Sequence, residues 1–166
     1  MTAVGRILSP VDFSETSERA LRYALELAGQ LRAEIHLLHV VPPPLNLHAS
    51  GEALPLAMSH VTVSGGVAPS DSQPSEVSAR MRDASKNELA KLVERYADRD
   101  VVLRQHVTQG DPRTQILRMA QTLGADLIVM GTHGHTGLSH ALLGSVAERV
   151  LRASDVPVLS VSLKAR

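Results

Sequence analysis

Short apolar runs alternate with segments of helical period along nearly the whole chain. Residues 4–8 read as a brief strand that Ser9-Pro10 brings to an end. Ser14-Glu15-Thr16-Ser17 then offers helix-start chemistry, because a hydroxyl there can accept from an otherwise unbonded backbone N–H. Ala20, Leu21, Ala24, Leu25, Ala28 and Leu31 recur at helical spacing and define one apolar face. A second strand is predicted over 34–41, closed by Pro42-Pro43-Pro44. From about 45 to 78 the pattern lapses, and a mixture of Pro, Ser, Gly and His predicts a long irregular surface excursion. Helical period returns near Ser78, with Met81, Leu89, Leu92, Val93 and Tyr96 as core candidates, and a third strand follows over 101–107. Asp111 as cap and Pro112 in the first turn open another helix, whose buried face is Ile116, Leu117, Met119, Ala120 and Leu123 and whose end is Gly124. Residues 126–130 form the clearest buried strand; a glycine-rich loop, a helix through about 147–151 and a last strand over 156–161 complete the chain.

Strands that alternate with helices in this way predict right-handed crossovers and an open parallel five-stranded sheet, Rossmann-like, with helices on both faces. The 166 residues suffice for one such domain, interrupted by the irregular insertion at about 45–78. Aromatic residues are only 2%, so Val, Leu, Ile and Ala must build the core, and the want of platforms argues against base-stacking recognition of single strands. Lys plus Arg and Asp plus Glu are 17 each, with no long basic run, which argues against duplex nucleic acid as partner. The absence of cysteine removes disulfides, thiol nucleophiles and thiolate metal sites. No apolar leader precedes Ser9 and no uninterrupted apolar run reaches the roughly 18 residues of a membrane span, so a cytoplasmic protein is expected.

Ligands of open parallel sheets bind beyond the carboxyl ends of the strands. Two loops have suitable composition there: Ser9-Pro10-Val11-Asp12, and Gly131-Thr132-His133-Gly134-His135-Thr136-Gly137 leading to Gly144-Ser145. Phosphate oxygens need several converging N–H donors, and glycine lets the backbone approach closely and reach positive φ. Gly144-Ser145 would add a helix N-terminus, where free N–H groups and the dipole favour anions. The competing reading is that these glycines serve a tight turn and close helix–sheet packing. Asp12 likewise fits either a turn or helix cap, or a ligand contact. No Gly-Lys-Ser or Gly-Lys-Thr makes a P-loop, and no acidic residue closing the second strand completes a dinucleotide fingerprint. His133, His135 and His140 fix no tetrahedral geometry and read as loop residues rather than a zinc site; His36 and His39 read as strand residues that pack or bond locally.

Gly131, Gly134, Gly144 and Ser145 follow a spacing of Gly, two residues, Gly, nine residues, Gly-Ser. Together with Ser9-Pro10-Val11-Asp12-Phe13-Ser14, Gly110-Asp111-Pro112, residues 125–130 and Val156-Pro157-Val158-Leu159, this resembles the nucleotide-binding members of the universal stress protein family. The likeness spans nearly the whole chain apart from the excursion. It implies strand order 3-2-1-4-5 and a site for ATP, ADP or AMP, with any Mg²⁺ carried by the nucleotide. Asp12 would face adenine or ribose, Pro10 and Val40 would line the base pocket, and Met130 and Gly131 would lie near the ribose. Gly134, Gly144, Ser145 and Val146 would hold the phosphates. His135 departs from the Arg or Lys common in relatives, and a neutral imidazole brings less charge to a triphosphate.

Phosphoryl transfer needs metal-holding acids and a group that positions the nucleophile, and only Asp12 is available, so a binder with at most slow hydrolysis is expected rather than an enzyme. In that strand order 156–161 is an apolar sheet edge, which invites pairing with a second copy as a homodimer; capping by residues 163–166 is the alternative. The competing functions are a slow ATPase or nucleotidyl-transfer enzyme of the same superfamily, and an interaction module that binds no nucleotide.

Overall fold

Strands that are apolar at consecutive positions must be covered on both faces, and that condition organises the molecule. The computed structural model describes residues 3–43, 76–132 and 143–162. Along the chain they form β1 (Arg6–Pro10), α1 (Glu15–Leu31), β2 (Glu34–Val41), α2 (Glu76–Arg95), β3 (Leu103–Gln109), α3 (Pro112–Leu123), β4 (Leu127–Gly131), α4 (Ser145–Ala153) and β5 (Val158–Val161). The strands make one five-stranded sheet of order β3-β2-β1-β4-β5, with every neighbouring pair parallel. Ile7, Ile35, Leu37 and Val129 turn to one face, where Ala20, Leu21, Ala24, Leu25 and Ala28 of α1 and Leu89 and Leu92 of α2 cover them. Leu8, Leu38, Ile128 and Met130 turn to the other, beneath Ile116 and Ala120 of α3 and Ala147 and Val150 of α4. Helices thus lie on both faces in the expected strand order.

The helix boundaries follow cap chemistry. Ser14 Oγ accepts from Ser17 N at 3.2 Å to open α1, and Arg32 in the left-handed region (φ 56°) ends it. Asp111 opens α3, its Oδ1 accepting from Thr114 N at 2.9 Å and Thr114 Oγ1 at 2.7 Å, and Gly124 (φ 59°) closes it. These two bonds hold the Asp111 carboxyl below its ordinary range. Asp111→Ala should therefore lower stability by about 1 kcal/mol, read by urea titration at neutral pH. An unchanged midpoint would show that the cap contributes nothing.

Several edges shift from expectation. β1 begins at Arg6 because the Asp126 carboxylate takes the Gly5 and Arg6 N–H groups, each at 2.9 Å, and it runs on through Pro10, whose missing donor is tolerated at the last position. β3 starts at Leu103, after a turn in which Val101 N donates to Arg99 O, and continues to Gln109 opposite Val41. β4 spans Leu127–Gly131, one residue later than predicted, since Asp126 is engaged with β1. β5 begins at Val158, not Val156, because Ser154 Oγ accepts from Val156 N at 3.1 Å and donates to Val156 O at 2.7 Å in a local turn. Leu31 and Met81, both expected in the core, are 47% and 46% exposed, at the last residue of α1 and on the outer face of α2. The excursion at 45–78 lies outside the described residues except where α2, starting at Glu76, overlaps its end.

A polar chain crosses three strands near the amino end of β2. Arg6 Nε and Arg104 Nε donate to the two oxygens of Glu34 at 3.2 and 2.9 Å. His36 Nε2 donates to Glu34 Oε1 at 3.1 Å, and its Nδ1 shares a hydrogen with His106 Nε2 at 2.9 Å. The Arg104 and His36 hydrogen bonds hold the Glu34 carboxyl down to about 2. Burial, helped by the charge of His36, pushes the His106 imidazole below its usual value.

Candidate functional site

The carboxyl ends of β1, β2 and β4 bring together most of the residues singled out from the sequence. Val40, Met130 and Val146 belong to one apolar cluster on the α3–α4 face. Pro10 is buried and, two residues beyond Leu8 on β1, turns to that same face. These residues are an apolar floor of the kind a flat heterocycle lies on.

Beside this floor stands the first turn of α4. The Ser145, Val146 and Ala147 N–H groups precede the first intrahelical bond, which Glu148 N makes to Gly144 O at 2.9 Å. Gly144 is the N-cap and brings no side-chain hydrogen bond to them. Two backbone bonds fix the turn against the sheet: Gly144 N donates to Thr132 O at 2.7 Å, and Thr132 N donates to Val161 O at 2.8 Å. The helix start is thereby an extension of the β4–β5 ladder. Ser145 is exposed and Val146 half-buried. Gly134 and His135, and the loop histidines His133 and His140, lie outside the described residues. No group of three metal-ligating side chains occurs among the described residues.

The two glycines that frame the site serve different ends. Neither has positive φ; among described glycines only Gly110 and Gly124 do. A Cβ at Gly131 would stand 3.0 Å from Thr16 Cγ2, 3.1 Å from Ser17 N and 3.1 Å from the Thr16 carbonyl carbon. Glycine is needed there so that the first turn of α1 can rest on the end of β4. Gly144 has φ −59° and ψ 148°, an extended conformation open to any residue, so backbone geometry does not demand glycine.

Asp12 holds the loop between β1 and α1. Its Oδ1 accepts from Ser14 N at 3.0 Å and from Ser14 Oγ at 2.5 Å, so it braces the residue that caps α1. Phe13, next to it, has φ 65°, a left-handed conformation that is rare for a bulky side chain. His39 Nδ1 lies 2.9 Å from Val11 O, and the His39 and Phe13 rings are 4.5 Å apart between centroids. Sequence reasoning gave His39 only local bonding and assigned Phe13 nothing. Strand alternation was the available signal for His39, which shares the parity of Ile35 and Leu37 and so lies under α1. Two surface hollows of about 340 Å³ are also present: one on α1 around Arg19, Arg22, Tyr23 and Glu26, and one between β3 and α3 around Thr108, the register partner of Val40, and Arg118.

Sheet order, crossovers and a helix that starts at Gly144 beyond the end of a central strand define a Rossmann-like α/β protein. The chain belongs to the universal stress protein family, whose family model matches residues 3–162. It is 31% identical over 159 residues to universal stress protein MJ0577 of Methanocaldococcus jannaschii, covering 96% of this chain and 95% of that one. The solved structure of MJ0577 superposes with a TM-score of 0.74 at 26% identity, covering 99% of this chain and 100% of that one. The same fold appears in a universal stress protein in complex with cAMP (TM-score 0.65, 21% identity, covering 96% and 98%). It appears again in the Archaeoglobus fulgidus universal stress protein in complex with dAMP (TM-score 0.60, 21% identity, covering 96% and 99%). No helix of the described residues is long and apolar enough to cross a membrane.

Proposed function

We propose that this chain binds an adenine nucleotide, ATP or its di- or monophosphate, between the Pro10–Val40–Met130 floor and the first turn of α4. The reading rests on one observation above all: three first-turn N–H groups of α4, without a bond among the described residues and uncapped by Gly144, are locked beside an apolar floor by the Gly144–Thr132 bond. An adenine ring suits the floor, and phosphate oxygens suit the N–H groups and the helix dipole. That two universal stress proteins of this fold hold cAMP and dAMP supports the choice of base. The role proposed is a binding module of the cytoplasm rather than an enzyme, with any Mg²⁺ arriving on the nucleotide. The described part of the site offers Asp12 as its acid; Ser14 engages its Oδ1, and the carboxylate is proposed to accept from the nucleoside rather than to hold a metal for phosphoryl transfer. A homodimer paired through β5 completes the proposal, since Leu159 and Ser160 are exposed on that outer strand.

Thermal shift with ATP, ADP and AMP, with and without Mg²⁺, tests the binding. Saturation at 100 times Kd should add about 2.7 kcal/mol of stability. No shift from any nucleotide at millimolar concentration would end this reading. Gly144→Asp sharpens the test. A carboxylate at the N-cap occupies the first-turn N–H groups and repels phosphate, so affinity should drop by about tenfold or more, while α4 gains a few tenths of a kcal/mol from its new cap. Equal affinity with an intact fold would place the phosphates elsewhere.

A further inference from the structure

We infer that His39 is a positioning residue for Asp12: it holds the loop between β1 and α1 in the one shape that presents the Asp12 carboxylate to a bound nucleoside. The inference rests on the nucleotide reading above. A carbonyl can only accept, so the 2.9 Å contact with Val11 O requires the hydrogen on His39 Nδ1, and the bond forms in both the neutral and the protonated ring. The same ring packs on Phe13 with centroids 4.5 Å apart. One side chain of β2 thereby grips both residues that flank Asp12.

That grip is needed because the loop is strained. Phe13 stands at φ 65°, where a non-glycine residue survives only if its surroundings hold it. Ser14 and Asp12 bind each other from above, through Ser14 N and Ser14 Oγ to Asp12 Oδ1. Asp12 N reaches Ser17 Oγ at 3.4 Å, and Val11 N donates to Leu38 O at 2.8 Å. Those contacts anchor the two ends; only His39 engages the Val11 carbonyl and the Phe13 ring from the sheet among the contacts seen. Without it Phe13 can relax toward negative φ, which rotates the adjoining peptide and takes the Asp12 carboxylate with it. His39 faces α1, whereas its neighbour Val40 faces the proposed base floor, so His39 acts without touching the ligand.

The test compares ligands that use different parts of the site, by calorimetry on the full chain. His39→Ala should weaken ATP binding roughly five- to tenfold, the effect of about one lost hydrogen bond, while inorganic tripolyphosphate, which needs only the α4 turn, binds as before. His39→Asn, whose side-chain N–H occupies the position of Nδ1–H, should recover most of the loss. On an Asp12→Ala background His39→Ala should have no further effect on ATP affinity, which a general loss of folding stability would not reproduce. Should the alanine variant fail to fold, His39→Gln, which displaces the donor by one carbon, replaces it in every comparison. Wild-type protein that binds none of these adenine nucleotides overturns the nucleotide reading and this inference with it. Wild-type binding with equal ATP affinity in the variant, or equal losses for ATP and tripolyphosphate, overturns the role of His39 alone.

Discussion

Gly131→Val should lower stability by about 3 kcal/mol and the Tm by on the order of 10 °C, whether or not nucleotide is present. The atoms that a Cβ meets, Ser17 N and the Thr16 carbonyl carbon, belong to helix backbone and cannot rotate aside. The first turn of α1 would have to lift from β4, and that turn carries the buried Thr16 and Ser17 and the Ser14 cap. Gly131→Ala tests the same contact more gently, with a loss of about 1 kcal/mol. Urea titration reads both variants. Stability within a few tenths of wild type for the valine variant would mean that α1 and β4 tolerate separation, and the packing role of Gly131 would be lost. Gly144 offers the contrast: its extended backbone accepts any residue, so changes there should alter ligand affinity more than folding.

Acid should weaken the protein in two stages, and the polar chain across β1, β2 and β3 sets both. Between His36 Nδ1 and His106 Nε2 there is room for one hydrogen, so the two rings cannot both be fully protonated while the 2.9 Å bond lasts. Burial, with the charges of His36 and Arg104 beside it, discourages a proton on His106. The sign follows from linkage. His106 titrates lower in the folded chain than its ordinary 6.5, so the unfolded chain takes up the proton first. Its contribution is complete above about 6.5 and declines as pH falls toward the depressed native value. Glu34, held at about 2 against an ordinary 4.5, adds a second decline that begins near pH 4.5 and continues toward 2. Asp111 loses its contribution below its ordinary 3.8, in the same direction. Thermal melts from pH 7.5 to 3 should show both stages. His106→Gln should remove the upper one, and Glu34→Gln should remove much of the lower one. A melting temperature constant from pH 7 to 5 in the wild type would refute the first stage.

Much of the fold could be read from residues because local chemistry and global order agree. The apolar face Ala20, Leu21, Ala24, Leu25 and Ala28 is buried as its period requires, and Asp111-Pro112 and Gly124 bound α3 as their chemistry requires. β2 has the predicted limits, Glu34–Val41. Strand edges were less legible, since β1 and β5 begin where side chains capture backbone groups: Asp126 on Gly5 and Arg6, Ser154 on Val156. Such captures depend on partners distant in sequence or on a turn that propensity does not mark. Of the candidate site, Gly144-Ser145 opens the last helix as foreseen, and Val40 and Met130 share one face. Glycine at 131 was legible as a motif but not in its reason, because the crowding comes from α1. His39 bonds and packs locally as expected, but its carbonyl partner and the left-handed Phe13 were not legible, because a positive φ and a histidine–carbonyl bond leave no periodic trace.

Gly144 N bonds to Thr132 O at 2.7 Å and Thr132 N bonds to Val161 O at 2.8 Å, so the leading turn of α4 is tied through β4 to the outermost strand. Edge and helix start therefore share one mechanical path. Whatever braces β5 should also steady that turn, so self-association at the sheet edge and affinity at the helix start would be coupled without any contact between them.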